Sequence, residues 1–343
     1  MKKLTFLFVL FFSSIPFLLH AQFSVHGTVM DSASGEPLGA ASVFCQNTTL
    51  GTTTNKQGEF SLSLKSGGYD LIFTYTGYTT QTIRVTGEVS RFDIRMVKED
   101  KSLGEVVIKS SNEVKDGWEK YGSFFLEHFI GSTPNAAQCK LQNPEVLKFY
   151  FLKRSNKLRV LATEPLLIAN NALGYNLHYQ LDSFIYQYNT HINLYRGYCL
   201  YTEMEGSDSI KRAWTKNRFN TYYGSKLHFM RSYYDSTLIQ DGWAISMLDE
   251  ENKTKFNKLA DPYDTTYYLS PDSTLEVEVW FPRRISVSYA KKRPEPDYLK
   301  KYKLPKDVLL QVSYIDLTDA IAIKENGYYY DQKDWINQGY WSW

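Results

Sequence analysis

Between Phe23 and Val97 apolar and polar residues alternate in short runs cut by glycine and proline. Phe23–Met30, Ala41–Gln46, Glu59–Leu64, Tyr69–Tyr75, Gln81–Val85 and Arg91–Val97 each read as a strand, and Phe60, Leu62 and Leu64 fall on one face of theirs. Between them lie turns of matching chemistry: Asp31 to Pro37, Lys56-Gln57-Gly58 and Gly67-Gly68. About seven short strands at a spacing of roughly 8–12 residues predict a β-sandwich over residues 22–97.

The pattern changes after this unit. Residues 98–117 open on the charged run Lys98-Glu99-Asp100-Lys101 and read as a linker. From Trp118 to Ile130 the apolar positions Trp118, Tyr121, Phe125, Leu126 and Phe129 recur at helical spacing, and Gly131 stops the helix. Strand-like runs follow at Leu147–Leu152, Leu158–Ala162, Pro165–Ile168, Tyr175–Tyr188 and His191–Tyr201. Ser207–Asn220 and Ser225–Ser236 read as helices rich in basic residues. Further strands are expected at Trp243–Leu248, Tyr267–Leu269, Leu275–Phe281, Ile285–Tyr289, Val308–Leu317, Ala320–Lys324 and Tyr328–Tyr330. Residues 118–343 are therefore expected to form one antiparallel α+β domain, making the chain mainly β overall. An aromatic content of 16%, with 27 tyrosines, favours extended strands over helices.

At the amino terminus, Met1-Lys2-Lys3 precedes a short apolar block from Leu4 to Leu19 and then His20-Ala21. That order is the pattern of a secretory signal peptide, residues 1–21, with cleavage after Ala21. A retained membrane anchor is the alternative, but the block is short and carries Ser13, Ser14 and Pro16. Gln22, rather than a cysteine, follows the cut, which argues against a lipoprotein. No later stretch offers roughly 18 uninterrupted apolar residues, so no transmembrane span is expected after signal removal.

Charge narrows the partners. Without Lys2 and Lys3 the basic count equals the 37 acidic residues, and nothing in that balance points to nucleic acid. Cys45, Cys139 and Cys199 fit no zinc or Cys-x-x-Cys spacing. Cys45 is expected to pack as a small apolar residue, whereas a Cys139–Cys199 disulfide stays open in an oxidising compartment.

Several of these runs carry a family resemblance. Gly27-Thr28-Val29, Gly35-Glu36-Pro37-Leu38, Ala41-Ser42-Val43, Thr54-Asn55-Lys56-Gln57-Gly58-Glu59-Phe60 and Tyr75-Thr76-Gly77-Tyr78 resemble the carboxypeptidase regulatory-like domain. The resemblance implies a seven-stranded transthyretin-like β-sandwich. Such a sandwich accompanies some metallocarboxypeptidases and precedes the plug of many TonB-dependent receptors. Leu103-Gly104-Glu105-Val106-Val107-Ile108 resembles the strand that follows it in those receptors. The roughly 235 residues left cannot supply a barrel of that kind, which needs several hundred more. Beyond residue 118, Cys139-Lys140-Leu141-Gln142-Asn143-Pro144, Glu164-Pro165-Leu166-Leu167-Ile168 and Tyr222-Tyr223-Gly224-Ser225 resemble exported carboxypeptidase-like regulatory domain-containing proteins, a group that implies no particular activity.

Catalytic signatures are sparse. None of His26, His128, His178, His191 and His228 is followed by glutamate at the third position, so the zinc pair of a metallocarboxypeptidase is missing. His-Glu-x-x-His, Gly-x-Ser-x-Gly, a P-loop and Gly-x-Gly-x-x-Gly are missing too. Ser288-Tyr289-Ala290-Lys291 matches Ser-x-x-Lys, yet it reads as a strand end rather than a helix start. His178 and His191 form a conceivable metal pair without a third ligand; Asp261, Asp264 and Asp272 form a turn cluster short of a calcium site. Arg283–Lys306 holds nine basic residues against Glu295 and Asp297, and reads as a solvated hairpin and loop or as the contact for an anionic surface. The aromatic residues suit sheet core or sugar stacking.

No catalytic, cofactor-binding or metal-binding residue is therefore nominated, and no cofactor is expected. The expected function is non-catalytic binding or assembly in the cell envelope, facing the periplasm or the outer membrane, with an envelope protein or glycan as partner. Two alternatives remain: a hydrolase of peptide or glycan with its site in residues 118–343, and a docking accessory of a TonB-linked transport complex.

Overall fold

The computed structural model describes residues 22–65, 68–86, 91–99, 112–270, 276–329 and 335–337. Residues 1–21, expected from the sequence to be a signal peptide, and the stretch Leu103–Ile108 lie outside them. The chain divides into two units. One takes in the described residues to Phe44 together with Leu50–Lys98; the other takes in Cys45–Thr49 and the described residues from Glu99 onward.

The first unit holds seven strands in two sheets. β1 (Gln22–Asp31) lies between β4 (Glu59–Lys65) and β7 (Arg91–Met96). β2 (Ser42–Cys45) and β5 (Tyr69–Thr74) are flanked by β3 (Gly51–Thr53) and β6 (Gln81–Val85). Alternation in β4 sends Phe60, Leu62 and Leu64 inward, and Val25, Val29, Val43, Leu71, Phe73 and Ile94 complete the core. The Phe60 and Phe73 rings meet edge to face at 5.5 Å. β3, with three residues, is too short for periodicity to reveal.

The glycine-punctuated motifs have specific duties here. β1 pairs parallel with β7, Gly27 opposite Phe92, and a Cβ at Gly27 would run into the Phe92 carbonyl oxygen. Asn55 Oδ1 accepts from the backbone N–H groups of Gln57 and Glu59 at 2.9 Å each, while Gly58 takes φ +73° to close the turn. Asp31 Oδ1 likewise accepts from Ala33 and Ser34 N–H at 2.8 Å each. The buried Thr54 hydroxyl donates to the Leu38 carbonyl at 2.5 Å and accepts from Ala41 N–H at 2.8 Å.

The second unit begins with a six-stranded sheet built on one long strand, β12 (Tyr175–Gln187). β13 (Ile192–Glu203) runs along one side of it. The other side is shared by β11 (Leu166–Asn170) and β10 (Lys157–Ala162), which carry β8 (Cys139–Leu141) and β9 (Leu147–Leu152) beyond them. Helix α1 (Gly117–Phe129) covers the sheet, with Phe125 fully buried against Phe149 and Phe184. Gly131 closes α1 at φ +106°, its N–H donating to Leu126 O. Glu113 and Val114, inside the stretch read as linker, pair with β9.

A second core follows. β14 (Trp243–Leu248), β15 (Phe256–Lys258), β18 (Ile285–Tyr289), β19 (Val312–Leu317) and β21 (Trp335–Asn337) form one antiparallel sheet. β16 (Tyr268–Leu269), β17 (Glu276–Val279) and β20 (Ile321–Lys324) form another. Helix α3 (Lys226–Tyr234) buries Phe229, Met230 and Tyr233 in that core, after α2 (Asp208–Tyr222) and before the short α4 (Leu238–Asp241). The molecule is mainly β with an α+β second part, and the strand pairs of the second unit's sheets are antiparallel among the described residues.

Three details depart from expectation. Tyr328–Tyr330 is not a strand in its described part: Gly327 at φ +79° turns the chain, and Tyr329 makes an isolated bridge to Ile323. β19 starts at Val312 rather than Val308, leaving Leu309 and Leu310 outside the sheet. Residues 296–301 of the basic run form a helix, α5 (Pro296–Lys301), with proline in its first turn. Cys45 is buried in β2 as an apolar residue. Cys139 and Cys199 are free thiols; β8 and β13 are three strand spacings apart, about 14 Å, beyond disulfide reach. No helix among the described residues is long and apolar enough to cross a membrane.

Candidate functional site

The residues singled out in the sequence do not converge. Ser288 lies within β18, and Lys291 bonds the Gln240 carbonyl at 2.7 Å, so no helix start sets a nucleophile beside a lysine. His178 pairs with Leu200 inside the β12–β13 hairpin, whereas His191 sits at its tip beside the Tyr186 hydroxyl, 3.2 Å away. Some nine residues of strand separate them, about 30 Å. Asp261 and Asp264 each accept from a backbone N–H two residues on, Tyr263 and Thr266, and so act in turns; Asp272 lies outside the described residues. Among the described residues no three histidine, cysteine or acidic side chains gather as metal ligands.

The arrangement closest to a catalytic relay is in α3 and α4. Ser232 Oγ and Thr237 Oγ1 both donate to Asp241 Oδ2 at 2.6 Å. The serine thus spends its proton on the carboxylate rather than on an imidazole. His228, 4% exposed, accepts from Gly224 N–H at Nδ1, 3.3 Å away. The rings of Tyr222, Tyr223, Trp243 and Tyr289 surround it at 4.9–5.3 Å. Burial holds its pKa below the usual histidine value, so the neutral ring belongs to an aromatic core. Nearby, burial pushes the Lys226 ammonium down to about 8, with Nζ donating to the Tyr329 hydroxyl at 3.2 Å. The one sequence signal for this cluster was Ser225 three residues before His228: its hydroxyl caps α3 by accepting from His228 N–H at 3.2 Å.

The first unit carries an open groove lined by His26, Thr28, Asn55, Glu59, Ser61 and Arg91 among others. Arg91 donates to the Asp93 carboxylate at 3.2 Å, and Thr28 Oγ1 donates to it at 2.9 Å, which together hold it below the usual carboxylate range. Hydroxyls, an amide, an imidazole and a guanidinium on the flank of a rigid sandwich suit contact with a polar partner.

The groove lies within the stretch that comparison with known proteins matches. Residues 25–108 match the family model described as the CarboxypepD_reg-like domain. The first unit is thus similar to the CarboxypepD_reg-like domain, a match that covers about a quarter of the chain. A TonB-dependent receptor of Formosa agariphila is 34% identical over 113 residues, covering 33% of this chain and 11% of the receptor. The TonB-dependent receptor SusC of Bacteroides thetaiotaomicron is 33% identical over 94 residues, covering 27% of this chain and 9% of SusC. The chain thus spans about a tenth of the length of these relatives. Among solved structures, a DUF3823 family protein from Bacteroides ovatus aligns over 79% of this chain and 93% of its own at 12% identity, with a TM-score of 0.19, too low to bear on the fold. The matched range contains the turn residues Asn55 and Gly58 described above.

Proposed function

We propose that this is an exported, non-catalytic protein of the cell envelope, acting in binding or assembly, whose CarboxypepD_reg-like domain is a docking module for a TonB-linked outer-membrane complex. The observation that carries the reading is the 33–34% identity to TonB-dependent receptors over a stretch of about a hundred residues. The signal-like segment Met1–Ala21 supports export, and the polar groove around Thr28 and Arg91 supplies a contact surface on the domain.

Crosslinking in intact cells of the source organism tests the reading. The full chain should co-purify with a TonB-dependent receptor, and a chain lacking residues 22–97 should lose that partner while the part from Glu99 onward keeps a cooperative melting transition. Recovery of the full chain alone, or a complex that survives the deletion, overturns it.

A further inference from the structure

We propose that the lysine-rich connection between α5 and β19 seats the second unit on an anionic lipid surface. The inference is independent of the docking role given above. It starts from how the structure partitions the basic run 283–306. Arg283 pairs with Glu250 at 2.8 Å, and Arg284 forks onto both oxygens of Asp316 at 2.8–3.1 Å. Lys291 caps the Gln240 carbonyl; Lys292 reaches Glu295 at 2.7 Å and the Asn220 carbonyl at 2.9 Å. These four cations are committed to internal contacts. Lys300, Lys303 and Lys306 are exposed and make no ion pair among the described residues.

Large side chains with apolar surface are exposed among and just after those three lysines. Leu309 is 69% exposed, Tyr302 42% and Leu310 40%. The segment is nonetheless held in place. Val312 N–H donates to the Tyr298 hydroxyl at 3.2 Å, and Glu295 N–H to Gln311 Oε1 at 3.1 Å, tying both ends of the excursion. Leu304 N–H bonds Leu299 O at 2.8 Å within it. Exposed leucines that follow three exposed lysines on an anchored loop, against the single exposed acid Asp307 among the described side chains there, call for a partner that is anionic at its face and apolar beneath. A bilayer with acidic headgroups offers both: lysine ammonium groups stay at the phosphate level while leucine and tyrosine enter the acyl boundary. A soluble acidic polysaccharide offers the charge without the apolar layer.

The test is flotation of the mature full chain with phosphatidylcholine vesicles, with and without phosphatidylglycerol. Binding is expected only with phosphatidylglycerol present, and should fade as the screening length falls from about 30 Å at 0.01 M salt to about 3 Å at 1 M. The double variant Lys303→Gln/Lys306→Gln should bind about thirtyfold more weakly, the effect of two lysines at such a surface. Leu309→Ser/Leu310→Ser should weaken binding about tenfold and keep the salt dependence. Unchanged melting curves establish that both variants fold. As a reading that needs no loss of binding, a polarity-sensitive dye on Leu309→Cys should shift to the blue with anionic vesicles. Failure to float with anionic vesicles, equal binding to pure phosphatidylcholine, unaffected variants or an unshifted dye each overturn the proposal. Full competition by soluble polyglutamate also overturns it, in favour of an acidic macromolecule.

Discussion

The Tyr78 hydroxyl donates a 2.6 Å hydrogen bond to Asp31 Oδ2, closing a contact between residues 47 positions apart. Asp31 is 2% exposed at the end of β1, where Ala33 and Ser34 N–H groups and Lys98 also face it. The Tyr78 hydrogen bond first, then the backbone bonds, hold the Asp31 carboxyl well below the usual carboxylate range, while that bond pushes the Tyr78 phenol up to about 12. Two motifs that are separate in sequence, Asp31–Gly35 and Tyr75–Tyr78, are therefore one lock in the sandwich.

Tyr78→Phe should lower the denaturation midpoint of the first unit, since it leaves a buried carboxylate oxygen short of its donor. The sign with pH follows from linkage. The Tyr78 contribution is fully present below its unfolded pKa of 10 and is lost as pH rises toward about 12. The Asp31 contribution is present above its unfolded pKa of 3.8 and is lost as pH falls below it. The gap between wild type and variant should thus be flat from mildly acid to mildly alkaline pH and should shrink above pH 10. Denaturant midpoints across pH measure it.

Gly27→Ala should cost the first unit at least about 2 kcal/mol, because the obstruction is the Phe92 backbone and cannot swing aside. Gly35, at φ +71° with open space around it, provides the control: Gly35→Ala should cost about 1 kcal/mol, from backbone conformation alone. Urea unfolding of the two variants distinguishes a steric from a conformational requirement.

Arg218 should be the main fastening of α2, which has no buried residue of its own. Its guanidinium donates to the carbonyls of Leu173 and Gly174 at 2.7 and 3.1 Å, pairs with Glu203 at 2.8 Å and lies 3.7 Å over the Tyr175 ring. Arg218→Ala should cost about 2 kcal/mol, and Arg218→Lys nearly as much, because an ammonium cannot reproduce the planar fork. Hydrogen exchange should show α2 losing protection ahead of α1.

His228 should make the second core acid-sensitive. Burial lowers its folded pKa against a partial upward pull from Asp241, with Lys291 and Arg231 adding to the lowering. Below about pH 6.5 the unfolded imidazole takes up a proton that the folded one refuses, so stability falls as pH falls. His228→Gln should flatten that slope, read as the melting temperature between pH 7.5 and pH 5.

Local chemistry accounts for what the sequence determined. Strand runs such as Trp243–Leu248 and Ile285–Tyr289 were legible to the residue, because alternation with one buried face is a period-two signal. The sandwich turns were legible because Asn55, Gly58 and Asp31 satisfy needs set within four residues of themselves. Those positions lie within residues 25–108, the stretch that matches a known domain family. Tertiary structure decided what depends on distant partners. It set Gly27 against Phe92, placed β13 beside β12 rather than near Cys139, and surrounded His228 with four rings from three elements. It also divided one uniform-looking basic run into Arg284, forked onto Asp316, and Lys303 and Lys306, left to solvent beside Leu309. Charge and periodicity are properties of a stretch of chain, whereas the partner of each side chain is fixed only by which elements fold against it.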